Sequence, residues 1–233
     1  MNEQWISERC WSNRQYISGK IRAVVVSFHG LNARWRDEAS SLELALAEEN
    51  ILVIAPYYGP WSWMNRAARK FVDELLDKVY EDLGDEKIPL IAAGGSMGGC
   101  AALLFCRYGK RHPAGCCVCW PVCNTEAHFY ERPDLPPTFH SAFCGYPEPL
   151  EELLKEHSPL HQVDFMPDIP YLFIHGCNDN RVSKQVHSDA MVEAMRKRKF
   201  QVEYMELPHC GHGVSIPLSA ALKQLEFIRK FCR

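Results

Sequence analysis

Short apolar runs alternate with amphipathic stretches along nearly the whole chain, and this alternation limits the fold more than any other feature. The runs at 21–28, 51–55, 88–93, 114–120, 170–175 and 200–207 are rich in aliphatic and aromatic residues and read as buried strands. Helices are expected between them. One covers about 36–49, with Ala39, Leu42 and Leu46 at helical spacing and Asn50 as a stop, and a second covers 66–83, with Phe71, Leu75, Leu76 and Val79 on one face. The others fall near 97–108, 183–198 and 217–231. Such an order implies parallel strands joined by right-handed crossovers, helices on both faces, and ligands bound beyond the carboxyl ends of the strands. About eight strands are expected in all, because the first nineteen residues alternate around Trp5, Trp11 and Tyr16 and read as an antiparallel hairpin on the sheet edge.

One segment breaks the rhythm. Residues 122–168 are too long for an ordinary loop and hold His128, Phe129, Tyr130, Phe139, His140, Phe143 and Tyr146, with a short helix expected near 150–157. They read as a lid-like insert, or pocket wall, within a single domain spanning 1–233.

The most informative strand end is the one at Gly94-Gly-Ser-Met-Gly98. In the pattern G-x-S-x-G the serine sits on a strained strand-to-helix turn with its hydroxyl clear of the sheet, and the flanking glycines let strand and helix approach closely. A serine hydroxyl is a poor nucleophile near neutral pH, so Ser96 needs a base, a group to orient that base, and donors for the oxyanion. The acid candidate is Asp179, in a polar turn just past the strand 170–175. Asp189 sits in a helix, Asp164 and Asp168 precede the strand, and Glu206 lies in the last strand, so all are worse placed. The base candidates are His209 and His212 after that strand, of which His212, between Gly211 and Gly213, is better able to point inward. The acid-then-histidine order after the serine is the one such a turn requires. The Met97 N–H, at a helix N-terminus, and the Leu31 N–H, in the turn after the first long strand, are the expected oxyanion donors.

Composition narrows the function classes. A net charge of −3 and a pI of about 6.4 give no support to a polyanion partner, and the basic run 196–199 suits a helix C-terminus. No apolar run reaches the length of a membrane span, and no secretory signal is visible at the N-terminus. Eleven cysteines, many in apolar stretches, then read as reduced buried thiols and point to the cytoplasm. Cys116 and Cys119 form a C-x-x-C, but without a second pair it is not a zinc pattern.

The four motifs F-H-G-L, G-G-S-M-G-G, I-H-G-C-N-D-N-R-V and H-C-G-H-G-V, each after a strand, resemble the α/β-hydrolases from about residue 20 onward. Within that superfamily the chain is similar to prolyl-oligopeptidase-like and dienelactone-hydrolase-like enzymes. The resemblance implies a Ser96–His212–Asp179 triad with no cofactor and no metal. It departs from dienelactone hydrolases in having serine rather than cysteine as nucleophile, and the large N-terminal propeller of oligopeptidases is not expected here. The expectation is a serine hydrolase cleaving carboxylic esters of a small-molecule acyl substrate, with Trp61 and Trp63 lining an aromatic pocket and a homodimer as the candidate assembly. Two rivals stand beside it. An aminoacyl or dipeptidyl peptidase needs an acid for the free amine, for which Glu148, Glu151 and Glu152 are candidates. A non-catalytic binding protein on the same fold would lack a triad member.

Overall fold

The computed structural model describes residues 2–213 and 216–232; Val214, at the end of the H-C-G-H-G-V motif, lies outside them. Among the described residues one seven-stranded sheet runs in the order β1-β3-β2-β4-β5-β6-β7. The strands are β1 (Cys10–Ser12), β2 (Ala23–Phe28), β3 (Ile51–Pro56), β4 (Leu90–Gly95), β5 (Gly115–Cys119), β6 (Tyr171–Gly176) and β7 (Val202–Leu207). All neighbours pair in parallel except β1, which runs antiparallel to β3 with Trp11 opposite Ala55. This is the α/β-hydrolase fold. The chain builds outward from β2 to β3, then crosses back to lay β4 on the other side of β2. The strand order therefore reverses between β2 and β4, and crevices that take ligands form at such switch points.

The helices are α1 (Asn2–Ser7), α2 (Ser41–Glu48), α3 (Arg66–Leu83), α4 (Met97–Tyr108), α5 (Thr125–Glu131), α6 (Pro136–Ala142), α7 (Leu150–Glu156), α8 (Ala190–Lys197) and α9 (Leu218–Arg229). Strand alternation sorts the core between the two faces. Val24 and Val26 of β2 pack in the cluster that holds Val72 and Leu75 of α3, Leu103 of α4 and Met191 of α8. Ala23 and Val25 pack with Leu46 of α2 and Leu225 and Ile228 of α9. Each fully buried Val or Leu contributes about 1.5–3 kcal/mol, so both helical layers are fixed to the sheet. The same alternation separates the C-x-x-C: Cys116 belongs to the first of these faces and Cys119 to the opposite one, so the two thiols share no ligand.

Three local expectations change. The N-terminus forms α1 followed by the short β1 rather than a hairpin, so the sheet has seven strands and not about eight; Trp5 and Ile6 reach the core from a helical turn instead. Helix α2 starts at Ser41 and not near 36, because Ser40 caps it: its hydroxyl accepts from the Glu43 N–H and Glu43 reaches back to the Ser40 N–H. Arg36, in the preceding loop, pairs with that Glu43 carboxylate. The helix expected over 183–198 begins as a π-turn at Gln185–Asp189 and becomes α-helical only at Ala190.

In the 122–168 segment, Phe129 of α5, Phe139 of α6 and Leu153 and Leu154 of α7 join the same continuous core as the strands. Ser158 Oγ–H and the Leu160 N–H both donate to the carbonyl of Cys123, tying the end of the segment to its beginning.

Candidate active site

Ser96 sits between β4 and α4 with φ +58° and ψ −124°, a conformation that costs a non-glycine residue about 1–3 kcal/mol. The surroundings over-determine it. The Ser96 N–H donates to Cys119 O, and its carbonyl accepts from the N–H groups of Gly99, Cys100 and Val122. The glycines are required by contact rather than by φ. A Cβ on Gly94 would lie 2.3 Å from Gly98 O, and one on Gly98 would lie 2.1 Å from Phe28 O. The start of α4 thus wedges against the end of β2, at the switch point.

Loops 116 and 83 residues away in sequence complete the arrangement. His212 Nε2 lies 3.0 Å from Ser96 Oγ, and His212 Nδ1 lies 2.7 Å from Asp179 Oδ2. The serine hydroxyl, the imidazole and the carboxylate form one continuous chain of hydrogen bonds, with Nδ1–H donating to the acid and Nε2 free to accept from the serine. The Asp179 side chain is fully covered, while that of His212 is 14% exposed. Burial pushes the Asp179 carboxyl up. Hydrogen bonds from His175, from His212 and from the backbone N–H groups of Val182 and Arg181 outweigh that and hold it well below the usual carboxylate range. It is therefore ionised at neutral pH.

The competing candidates are engaged elsewhere. His209 is exposed, in a left-handed turn with φ +64°, and makes no hydrogen bond to Ser96 or Asp179 among the described residues. Asp189 accepts from Lys184 and Tyr204, Glu206 pairs with Lys184, and Asp164 pairs with Arg198. His175, a residue of the I-H-G-C-N-D motif to which the sequence reading gave no role, lies with Nε2 3.2 Å from Asp179 Oδ2. Its signal was its place four residues before the acid.

The Met97 N–H opens α4, where no carbonyl lies a helical turn earlier to accept it. The turn at 29–33 passes close by: a Cβ on Gly30 would lie 3.9 Å from Ser96 Cβ. That turn is pinned by Asn32, which takes φ +59° and donates its N–H to Pro60 O, and by the Tyr58 hydroxyl, which donates to His29 O. The His29 ring stacks on Tyr58 at 4.1 Å between centroids.

The two tryptophans part company. Trp61 is 37% exposed and donates Nε1–H to Ser141 Oγ of α6. Trp63 is 1% exposed, stacks on Phe139 at 4.0 Å and donates Nε1–H to Thr138 Oγ1. The structure places Trp63 in the core under the 122–168 segment and not in a substrate pocket, because that segment supplies a flat apolar partner for its whole ring.

A cavity of about 210 Å³ lies against the elbow, walled by Ser27, Gly94, Gly95, Trp120, Ile216 and Gln224, among others. The Trp120 ring also meets the His212 ring edge-on. A separate cluster joins His128, Glu131 and His187, whose donor atoms lie within 4.8 Å of one another. His187 Nδ1 accepts from the N–H groups of Cys123 and Asn124, so its Nε2 carries the hydrogen and donates to Glu131 Oε2. A nitrogen committed as a donor is not a metal ligand, and the cluster reads as a hydrogen-bond network linking α5 to the π-turn.

A nucleophile elbow at the centre of a mostly parallel sheet, with histidine and acid loops converging on it, defines a serine hydrolase of the α/β-hydrolase class. Residues 73–233 match the prolyl oligopeptidase family, and the chain belongs to that family. Among solved structures, it is similar to esterase B from Lactobacillus Rhamnosis (HN001), with a TM-score of 0.71, 15% identity, and coverage of 92% of this chain and 76% of the esterase. It is also similar to a puromycin-hydrolyzing peptidase of Mycobacterium tuberculosis (TM-score 0.72, 20% identity, 92% of this chain and 34% of the peptidase). An acylaminoacyl peptidase of Pyrococcus horikoshii has a TM-score of 0.74 and 14% identity over 95% of this chain and 38% of that one. At these identities the likeness is one of fold, and the chain spans little more than a third of either peptidase. A sequence search of curated proteins found no match. No helix among the described residues is long and apolar enough to cross a membrane.

Proposed function

We propose that Ser96, His212 and Asp179 are the catalytic residues of a hydrolase that cleaves carboxylic esters through an acyl-enzyme. The observation that carries this reading is the unbroken hydrogen-bond chain from Ser96 Oγ through His212 to Asp179. Ser96 Oγ attacks the acyl carbon as His212 Nε2 takes its proton. The tetrahedral oxyanion is held by the N–H groups of Met97 and Leu31, and His212 returns the proton to the leaving alcohol. Water, activated by the same nitrogen, then releases the acid. Asp179 keeps Nδ1 protonated and stabilises the imidazolium that forms in each half-reaction.

Esters are favoured over peptides by the state of the acidic candidates in the 122–168 segment. Glu148 pairs with Arg66 and Glu151 with Lys155, so neither is left to hold a free amine, and Glu152, exposed in α7, is the acid that remains to the peptidase reading. In this reading the cavity against the elbow, lined by no residue of 122–168, takes the acyl group. At about 210 Å³ it falls below the ~300–1,000 Å³ of drug-sized ligand sites, which suits a compact acyl chain. The eleven free thiols support a reducing compartment, and so the cytoplasm.

A fluorophosphonate probe should label the wild type and spare Ser96→Ala, and equal labelling of both would refute the nucleophile. With p-nitrophenyl esters from acetate to octanoate, kcat/KM should peak at the short end and exceed that for amino-acid anilides. A peak at octanoate would remove the cavity from the acyl site, and faster anilide cleavage would favour the peptidase.

A further inference from the structure

The strand that leads to the acid carries a histidine where a core position is expected. His175 lies in β6, fully buried, one residue after Ile174 and four before Asp179. An imidazole in such a place costs stability unless both nitrogens are bonded, and here both are. Nδ1 lies 2.7 Å from Ser188 Oγ, while Nε2 lies 3.1 Å from Val182 O and 3.2 Å from Asp179 Oδ2.

These partners fix the tautomer. Val182 O can only accept, so Nε2 must carry a hydrogen, and that hydrogen faces two acceptors: the carbonyl and the Asp179 carboxylate. Nδ1 then accepts from the Ser188 hydroxyl. In the π-turn at Gln185–Asp189 consecutive side chains serve different sites: His187 reaches Glu131 while Ser188 reaches His175.

From the side of the acid the arrangement is complete. Asp179 Oδ1 accepts the backbone N–H groups of Arg181 and Val182, each at 2.9 Å. Oδ2 accepts His212 Nδ1–H from the active-site side and His175 Nε2–H from the core side. The backbone pair fixes one oxygen on its own loop. Among the described residues, only His175 ties the oxygen that meets His212 to the rigid sheet. Resting on the triad reading above, we infer that His175 is a positioning residue for the catalytic acid: its Nε2–H holds Asp179 Oδ2 at the angle that orients His212, and it withdraws part of the carboxylate's charge from that imidazole. His175 in turn faces the charges of Asp179 and Asp189, and Arg132, just after α5, feels that of Asp179.

Two variants test the assignment. His175→Phe keeps a planar ring of similar volume and removes the N–H, whereas His175→Gln can restore a donor. For a short-chain p-nitrophenyl ester, His175→Phe should lower kcat by about 10–100-fold, as expected when a catalytic group loses its orientation, with KM within about twofold. With less of its charge drawn off, Asp179 should raise the basicity of His212, moving the acidic limb of the kcat/KM–pH profile upward by about half a pH unit. The downfield proton resonance of the His212–Asp179 hydrogen bond should shift in His175→Phe. His175→Gln should return kcat, profile and resonance most of the way. A folded His175→Phe with wild-type kcat, profile and resonance overturns the inference. So does equal loss in both variants together with loss of the cooperative unfolding transition, which would make His175 a core residue only. Wild-type protein that resists the fluorophosphonate sinks the triad itself, a result distinct from either.

Discussion

The two ends of the proposed relay are built in opposite ways. At the acid end, Asp179 is fully covered and takes four N–H donors, two from its own loop and one from each of two histidines. At the nucleophile end, the Ser96 hydroxyl is half-buried and has one partner among the described residues, His212 Nε2, while the strain is in the backbone. The acid has no move to make during turnover, so every lone pair can be satisfied in advance. The serine must release its proton and bond to carbon, so any further partner would have to be broken. Preorganisation sits where charge is constant, and open valence sits where bonds change.

That contrast can be broken from either end. The largest effect is expected from His212→Ala, which cuts the link between them: kcat for p-nitrophenyl butyrate should fall by about 10⁴-fold or more, while His209→Ala retains most of it. The reverse ranking would move the base to His209. Next, Asp179→Asn keeps the shape of the acid but presents an amide to His212 Nδ1 and unsettles the tautomer, for an expected loss of about 10³–10⁴-fold in kcat with little change in KM. Backbone placement at the nucleophile end should matter almost as much. In Gly98→Ala the new methyl meets Phe28 O at 2.1 Å and His29 O at 2.7 Å, both unyielding backbone atoms. It should push α4 from the 29–33 turn, pulling the oxyanion donors apart, with about 10²-fold lost from kcat and a lower unfolding temperature. Unchanged activity would show that the turn does not supply a donor.

The smallest effect concerns stability, away from the relay. His157 is wholly buried, packs against Phe143 with the rings tilted and their centroids 4.5 Å apart, and is lowered to about 4, chiefly by burial and also by the nearby Arg69 charge. Its folded value lies below its unfolded one, so between them the unfolded chain binds more protons. The stabilisation is complete above about pH 6.5 and is lost as pH falls toward 4. The unfolding temperature should drop across that window, and His157→Gln should flatten the drop. An unchanged slope in the variant would assign it to other groups, such as His128, which burial also lowers.

What the sequence determined by itself was whatever depends on short-range order. The runs at β2, β3 and β6 are apolar and β-branched or aromatic enough to be strands without help, and the glycines around Ser96 announce a close approach of strand and helix. The four ordered motifs even singled out the aspartate and the histidine that the structure brings together with Ser96. The tertiary structure decided what depends on partners distant in the chain. Trp63 reads as a pocket residue until Phe139, 76 positions later, is stacked on it. Residues up to Gly19 alternate like a hairpin, yet only β1 finds a strand to pair with, and the turn before it becomes helix to bury Trp5 and Ile6. His175 sits in the very motif that names Asp179. Whether it packs or positions is set by Ser188 and Val182, which a π-turn and a loop carry to its two nitrogens, and no local pattern encodes that convergence.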